Sequence, residues 1–265
     1  MKAFFASNWK KSAKHRARMA LHSAMMSAMR TRAHNIPIED APSCIVFAPH
    51  EDDATLGCGG LILRRRLDGN QVDVVNLTDG SASHPKHPTL DPRALGAQRR
   101  SEELAAARTL GVDLSRVHFM DARDGTLDRL GPAETDSLVG RIAGVLGLVR
   151  PQEVFLPCRR DGSSEHDAAF ILVQHAIARA GLCPRLFEYP IWSLWAPQRL
   201  VRPFITSRGI WKVEFAGYEH LKLRALSSYR SQVLPTPPWN QPVLSPEFVS
   251  LFLSPEEFFF EMGAS

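Results

Sequence analysis

Cysteine is scarce in this sequence. Its four residues, Cys44, Cys58, Cys158 and Cys183, show no C-x-x-C spacing, which excludes a disulfide framework. Cys44, Cys58 and Cys158 fall in or beside apolar stretches and read as small buried residues of a reducing compartment, so a cytoplasmic setting is expected. No run approaches the roughly 18 apolar residues of a membrane span, and no apolar segment of secretory length marks a signal peptide. Acid is missing from residues 1–33, which hold Lys2, Lys10, Lys11, Lys14, Arg16, Arg18, Arg30 and Arg32. With an overall charge of +4, the remainder therefore carries −4. The basic balance belongs to this segment alone. A dinucleotide-binding fingerprint is also lacking: Gly57-x-Gly59 needs a glycine at position 62, where Ile62 stands. The positive charge has no aromatic stacking platform beside it, which excludes a nucleic-acid-binding module.

What is present is a chain of 265 residues, 44% hydrophobic and 23% charged, enough for one α/β domain with a sizeable core. Apolar strand-like runs alternate with helical periods. Strand 43–47 leads to a helix near 56–68, and strand 72–77 to a helix over 92–110. Strand 117–120 leads to a helix near 133–148. Strand 153–157 precedes a helix over 168–180, and strand 185–189 follows. This order predicts a Rossmann-like, mostly parallel sheet with helices on both faces. Beyond Pro190 the pattern changes, and Trp192, Trp195 and Trp211 with several prolines suggest an irregular lid and an antiparallel pair. Phe258-Phe259-Phe260 reads as a packing plug. Residues 1–40 are expected to be a helical basic arm and residues 41–265 the catalytic domain. The arm packs on the protein's own back, stays partly disordered, or lies as a peripheral helix on an anionic membrane.

Two strand ends carry the chemistry. After strand 43–47 comes Ala48-Pro49-His50-Glu51-Asp52-Asp53, then Gly57-Cys58-Gly59-Gly60. Ligands in open α/β sheets bind outside the carboxyl ends of strands. His50 and Asp53 are three apart, so one turn of backbone brings both onto one cation. Asp52 between them points elsewhere, close enough to take a proton from water. The plainer alternative is a solvated helix N-terminus, where acids are favoured; it accounts for the carboxylates and not for the imidazole. After strand 153–157, the loop Cys158 to Ser164 ends on Glu165-His166. Alone, His166 would read as a surface residue at a helix start. Together with His50 and Asp53 it completes a three-ligand set with an open fourth position, the catalytic arrangement of zinc.

These residues resemble the LmbE-like deacetylases, which include the N-acetylglucosaminyl-phosphatidylinositol de-N-acetylases, the PIG-L family. The first family motif, roughly A-H-P-D-D-E and then L-G-C-G-G, is matched by Ala48 to Ala54 and Leu56 to Gly60. The second, roughly D-x-H-x-D-H, is matched by Asp161 to His166. Weaker matches are Leu77-Thr78-Asp79-Gly80, Arg99-x-x-Glu102, Lys222-x-x-Ala225-Leu226 and Tyr229-Arg230-Ser231-Gln232. The resemblance runs from about Ser43 to Gln232. It implies that His50, Asp53 and His166 hold Zn2+, that Asp52 is the general base, and that Asp79 and Arg99 grip sugar hydroxyls.

The sequence departs from that pattern at Glu51, where the family has proline, and at Ala54, where it often has an acid. Ser163 replaces a histidine that serves the oxyanion or the leaving amine, and Glu165 replaces an aspartate that would orient that histidine. Either Ser163 donates to the oxyanion or another histidine supplies the role. His84 and His87, in the loop after Gly80, are the nearest candidates, against the plain alternative of a polar loop. The expected activity is zinc-dependent removal of an N-acetyl group from an amino sugar or its glycoconjugate. A metal-dependent amidase or esterase on a non-sugar substrate is the alternative.

Overall fold

The computed structural model describes residues 2–39 and 41–263, with side chains from residue 13 onward. The side chains of Lys2, Lys10 and Lys11 lie outside that set. Eight strands form one sheet: β1 (His34–Asn35), β2 (Cys44–Ala48), β3 (Val72–Thr78), β4 (Val117–Ala122), β5 (Glu153–Pro157), β6 (Arg185–Tyr189), β7 (Gly209–Glu214) and β8 (Glu256–Glu261). Their order across the sheet is β1-β7-β8-β6-β5-β2-β3-β4. All neighbouring pairs are parallel except the two made by β8, which is antiparallel to β6 and to β7.

The predicted alternation stands, with element limits moved by a few residues. The long helices are α1 (Lys2–Arg32), α2 (Asp53–Leu67), α3 (Pro92–Thr109), α4 (Pro132–Val149) and α5 (Ser164–Arg179). Strand residues alternate between two cores, as the pleat requires. Cys44, Val46 and Ala48 of β2 pack with α2, α3 and the inner end of α1, whereas Ile45 and Phe47 pack with α4 and α5. Helices therefore cover both faces. The Phe258-Phe259-Phe260 run is buried as expected, but as part of β8, a strand inserted between β6 and β7. Among the described residues, no helix is long and apolar enough to cross a membrane.

Two features set the position of α2. Its glycines let the helix approach the strands closely. A Cβ at Gly57 would lie 2.2 Å from the Tyr189 ring, and one at Gly60 2.2 Å from the Phe215 ring. A buried ion pair then enters the backbone ladder of the same helix. Lys222 Nζ donates to the Leu56 carbonyl at 2.8 Å and to Glu257 Oε1 at 2.7 Å. Glu257 in turn accepts from the amides of Gly60 and Leu61. The ammonium and the carboxylate are thus satisfied by each other and by backbone groups of α2, as buried charges require.

The inner half of α1 is seated on this body. Met26 and Met29 are buried in the main core, Arg18 lies over the Trp195 ring at 3.5 Å, and Arg30 pairs with Glu256.

Candidate active site

The strand order reverses between β2 and β5. β3 and β4 are laid down on one side of β2, then β5 and β6 on the other. The crevice beyond the carboxyl ends of such a pair is where open α/β sheets bind ligands. His50 leaves β2 there, and the loop after β5 delivers Asp161, Ser163 and, in the first turn of α5, His166.

His50, Asp53 and His166 converge. Asp53 Oδ2 is 3.2 Å from His50 Nδ1 and 3.4 Å from His166 Nε2, and the three candidate ligand atoms lie within 4.8 Å of one another. Asp53 is the first residue of α2, where a carboxylate is favoured by the helix dipole, and Oδ2 also accepts from the His50 amide at 3.0 Å. His166 is fully buried, and its Nε2 has no hydrogen-bond partner among the described residues. A buried ring nitrogen left unsatisfied beside a carboxylate and a second imidazole fits a divalent cation bound between them.

Each imidazole is held from its other nitrogen by carboxylate. Asp161 Oδ2 is 3.0 Å from His166 Nδ1, and Asp161 is itself fixed by the amides of Ile191, Trp192 and Ser193. Glu165 Oε2 is 2.9 Å from His50 Nε2, with Asp124 Oδ1 at 3.4 Å from the same atom. Such partners set the tautomer and aim the opposite nitrogen at a metal. Burial alone would raise the Asp53 carboxyl, but the imidazoles, His166 foremost, hold it well below the usual carboxylate range. Burial alone would lower His166; Asp53 and Asp161 overcome it and raise its pKa to about 9.

Asp52 turns away from this set, as its sequence position suggests. Its Oδ1 accepts from Arg99 Nη2 at 3.2 Å. Burial pushes the Asp52 carboxyl up, against the pull of Arg99. Arg99 is only 2% exposed. It also pairs with Glu51 at 3.0 Å, so it stands behind Asp52 with its guanidinium engaged by acids. Glu51, at the position of the motif proline, is thus the second carboxylate on Arg99, and burial lifts its pKa to about 7 despite that cation.

His50, Asp52, Asp53 and Arg99 open on a cavity of about 560 Å³ whose wall includes Ser163, Trp192 and Phe248. Ser163 caps α5 by position, without a side-chain capping bond, and its hydroxyl has no partner among the described residues. Asp79 and His84 line a neighbouring cavity instead. Asp79 Oδ1 accepts from the amides of Ser81 and Asp124. His84 stacks on Trp239 at 5.3 Å, and His87 Nε2 lies 3.2 Å from the Thr236 carbonyl. The structure therefore brings His50, Asp52, Asp53, Arg99 and Ser163 to one cavity, seats the fully buried His166 against Asp53, and leaves Asp79 and His84 outside that cavity. Sequence reasoning missed Asp124, which belongs to no motif but follows β4, a third strand end on the same edge. It also gave Asp161 no task, although Asp161 opens the second motif.

The PIG-L family model, described as GlcNAc-PI de-N-acetylase, matches residues 45–177. The chain belongs to this family. It is 28% identical over 217 residues to the diacetylchitobiose deacetylase of Thermococcus kodakarensis, covering 79% of this chain and 77% of that protein. The solved N,N'-diacetylchitobiose deacetylase of Pyrococcus horikoshii superposes with a TM-score of 0.58 at 23% identity, over 81% of this chain and 79% of that one. A conserved protein of Thermus thermophilus gives a TM-score of 0.61 at 25% identity, over 84% and 95% of the two chains. The shared architecture is the α/β fold of the PIG-L deacetylases. In this chain Glu165 has His50 as its partner, and Ser163 stands two residues before it.

Proposed function

We propose that this protein is a zinc-dependent hydrolase that removes the N-acetyl group from an amino sugar or a glycoconjugate. The observation that carries the reading is the unsatisfied, buried His166 Nε2 facing Asp53 and His50, with the Asp52 carboxylate beside it on a cavity wall. Membership of a deacetylase family and the likeness to a diacetylchitobiose deacetylase support it.

His50, Asp53 and His166 would hold the ion, two imidazoles and one carboxylate being a zinc-type donor set with room for water. Zinc bound there supplies a lowered water pKa and a polarised amide carbonyl. Asp52 accepts the proton of the attacking water and returns it to the departing amine. Arg99 orients Asp52 by a charge-assisted hydrogen bond. The unpartnered Ser163 hydroxyl donates to the oxygen that gains charge as the tetrahedral centre forms. Glu165 and Asp161 keep the two imidazoles in the ligating orientation.

The test is a screen of N-acetylated amino sugars and their glycosides for free-amine release by zinc-loaded protein, with simple N-acetyl amides and acetate esters alongside. Release from the sugars and not from the simple amides is expected. Hydrolysis confined to the non-sugar compounds would make the protein an amidase or esterase using the same residues. For the basic N-terminal segment we adopt packing as the role, supported by the burial of Met26 and Met29. Sedimentation of the protein with anionic vesicles, reversed by salt, is the result that would add a peripheral membrane contact.

A further inference from the structure

A cavity of about 1030 Å³ lies next to the candidate metal cavity, and Ala82, Asp124, Gly125 and Arg129 line both. Three of its lining cations come from separate segments: Lys86 from the loop after β3, Arg93 from the first turn of α3, and Arg123 from the loop after β4. None of the three side chains has an ion-pair or hydrogen-bond partner among the described residues.

The acids of the same wall do not balance them, because each is engaged elsewhere. Asp121 pairs with Arg100 at 2.8 Å. Asp79 accepts from two backbone amides. Asp124 accepts from the Ala82 amide and faces His50, and Glu51 is paired with Arg99. Arg129 is also used, on the Gly125 carbonyl and Asp128. Arg93 is placed against the helix field as well. A cation in the first turn of a helix is disfavoured, α3 has no acid in that turn, and the Asp91 cap is spent on the Ala94 amide. Outside residues 1–33 the chain carries net negative charge, so three unbalanced cations around one cavity run against the trend of the domain.

We propose that this cavity is a subsite for an anionic group, phosphate or carboxylate, carried by the substrate on the side away from the amide. Guanidinium forks and an ammonium suit such oxyanions, and the shared wall lets one molecule span both cavities. The inference rests on the deacetylase reading for the word substrate, but binding is measurable without turnover.

The experiment titrates metal-loaded, full-length protein calorimetrically with glucosamine, glucosamine 1-phosphate, glucosamine 6-phosphate and muramic acid. The phosphates and the carboxylate of muramic acid separate the two kinds of anion. At least one anionic ligand is expected to bind about tenfold or more tightly than glucosamine, the scale of one charge-assisted contact. That advantage should shrink as salt is raised to about 0.5 M. In the Lys86→Ala/Arg93→Ala/Arg123→Ala protein it should fall to within about twofold, at the resolution of such comparisons. All three positions are exposed, and an unchanged thermal midpoint would establish that the variant is folded; the three single variants, each losing part of the advantage, provide the same reading if it is not. Equal binding of all four ligands, or an advantage that survives the substitutions, overturns the proposal. A preserved preference for the anion with no amine released from any N-acetyl sugar would instead overturn the deacetylase reading and leave the subsite standing.

Discussion

Asp52 and Asp53 are adjacent in the chain and face different partners, Arg99 for the first and two imidazoles for the second. The division yields opposite expectations for two substitutions. Asp52→Asn should retain the metal and lower kcat by about 10²–10⁴-fold, the usual range for a general base. Asp53→Ala should lose metal, and atomic absorption on the purified variants reads the difference. Ser163→Ala should lower kcat by about 10²-fold with little change in KM if its hydroxyl serves the oxyanion. An unchanged kcat would take Ser163 out of the chemistry. Glu103 lies deeper, where it accepts from the Tyr229 hydroxyl at 2.5 Å. Burial raises its pKa from 4.5 to about 8, against that hydrogen bond. A carboxyl raised in the folded state favours folding fully below its unfolded pKa, and the contribution is lost as pH rises through the folded value. Stability to urea should therefore decline between about pH 5 and pH 8, and the decline should be shallower in Glu103→Gln. Equal slopes in the two proteins would show that Glu103 is ionised in the fold.

At the scale of elements, α2 decides where the first motif sits. Replacing a helical glycine by alanine usually stabilises by about 1 kcal/mol. At Gly57 the new methyl would meet the Tyr189 ring, and that ring is pinned by its hydroxyl on the Phe47 carbonyl at 2.7 Å. Overpacking costs about 1–3 kcal/mol and should win, so Gly57→Ala is expected to lower the urea midpoint. α1 gives a second element-scale expectation. Its residues Arg18 and His22 contact Trp195 and the Leu194 carbonyl, in the segment whose amides hold Asp161. Removal of residues 1–17 should leave metal content and thermal midpoint close to those of the full chain. Removal of residues 1–33 should lower both.

Over the whole molecule, metal and fold are linked. His50, Asp53 and His166 come from two chain segments more than a hundred residues apart, so the complete ligand set exists only in the native state. Zinc at a hundredfold excess over its Kd should stabilise by about 2.7 kcal/mol. For a chain of this length that is a rise in Tm of about 5–10 °C, reversed by a chelator. Without metal, His166 keeps its proton up to about pH 9 because Asp53 and Asp161 flank it. Binding must displace that proton, so apparent zinc affinity should rise with pH across the neutral range and level off near that value. A pH-independent affinity would remove His166 from the ligand set.

The alternation of strands and helices, the two motif loops and the pairing of His50 with Asp53 were legible in the sequence. They depend on local periods, β-branched runs and spacings of three, which the chain carries residue by residue. The tertiary structure alone decided the rest. The last strand enters between β6 and β7 because strand pairing is chosen by the whole sheet, and the burial of Phe258 to Phe260 is the same in a plug or a strand. Arg99 meets Asp52 and Glu51 on the cavity wall, since only the packing of α3 against the first motif sets which groups its guanidinium meets. Asp124 joins the site from a loop without a motif because β4 happens to end on the same edge. Sequence determined which chemical groups were available at the strand ends; the order of strands determined which of them meet.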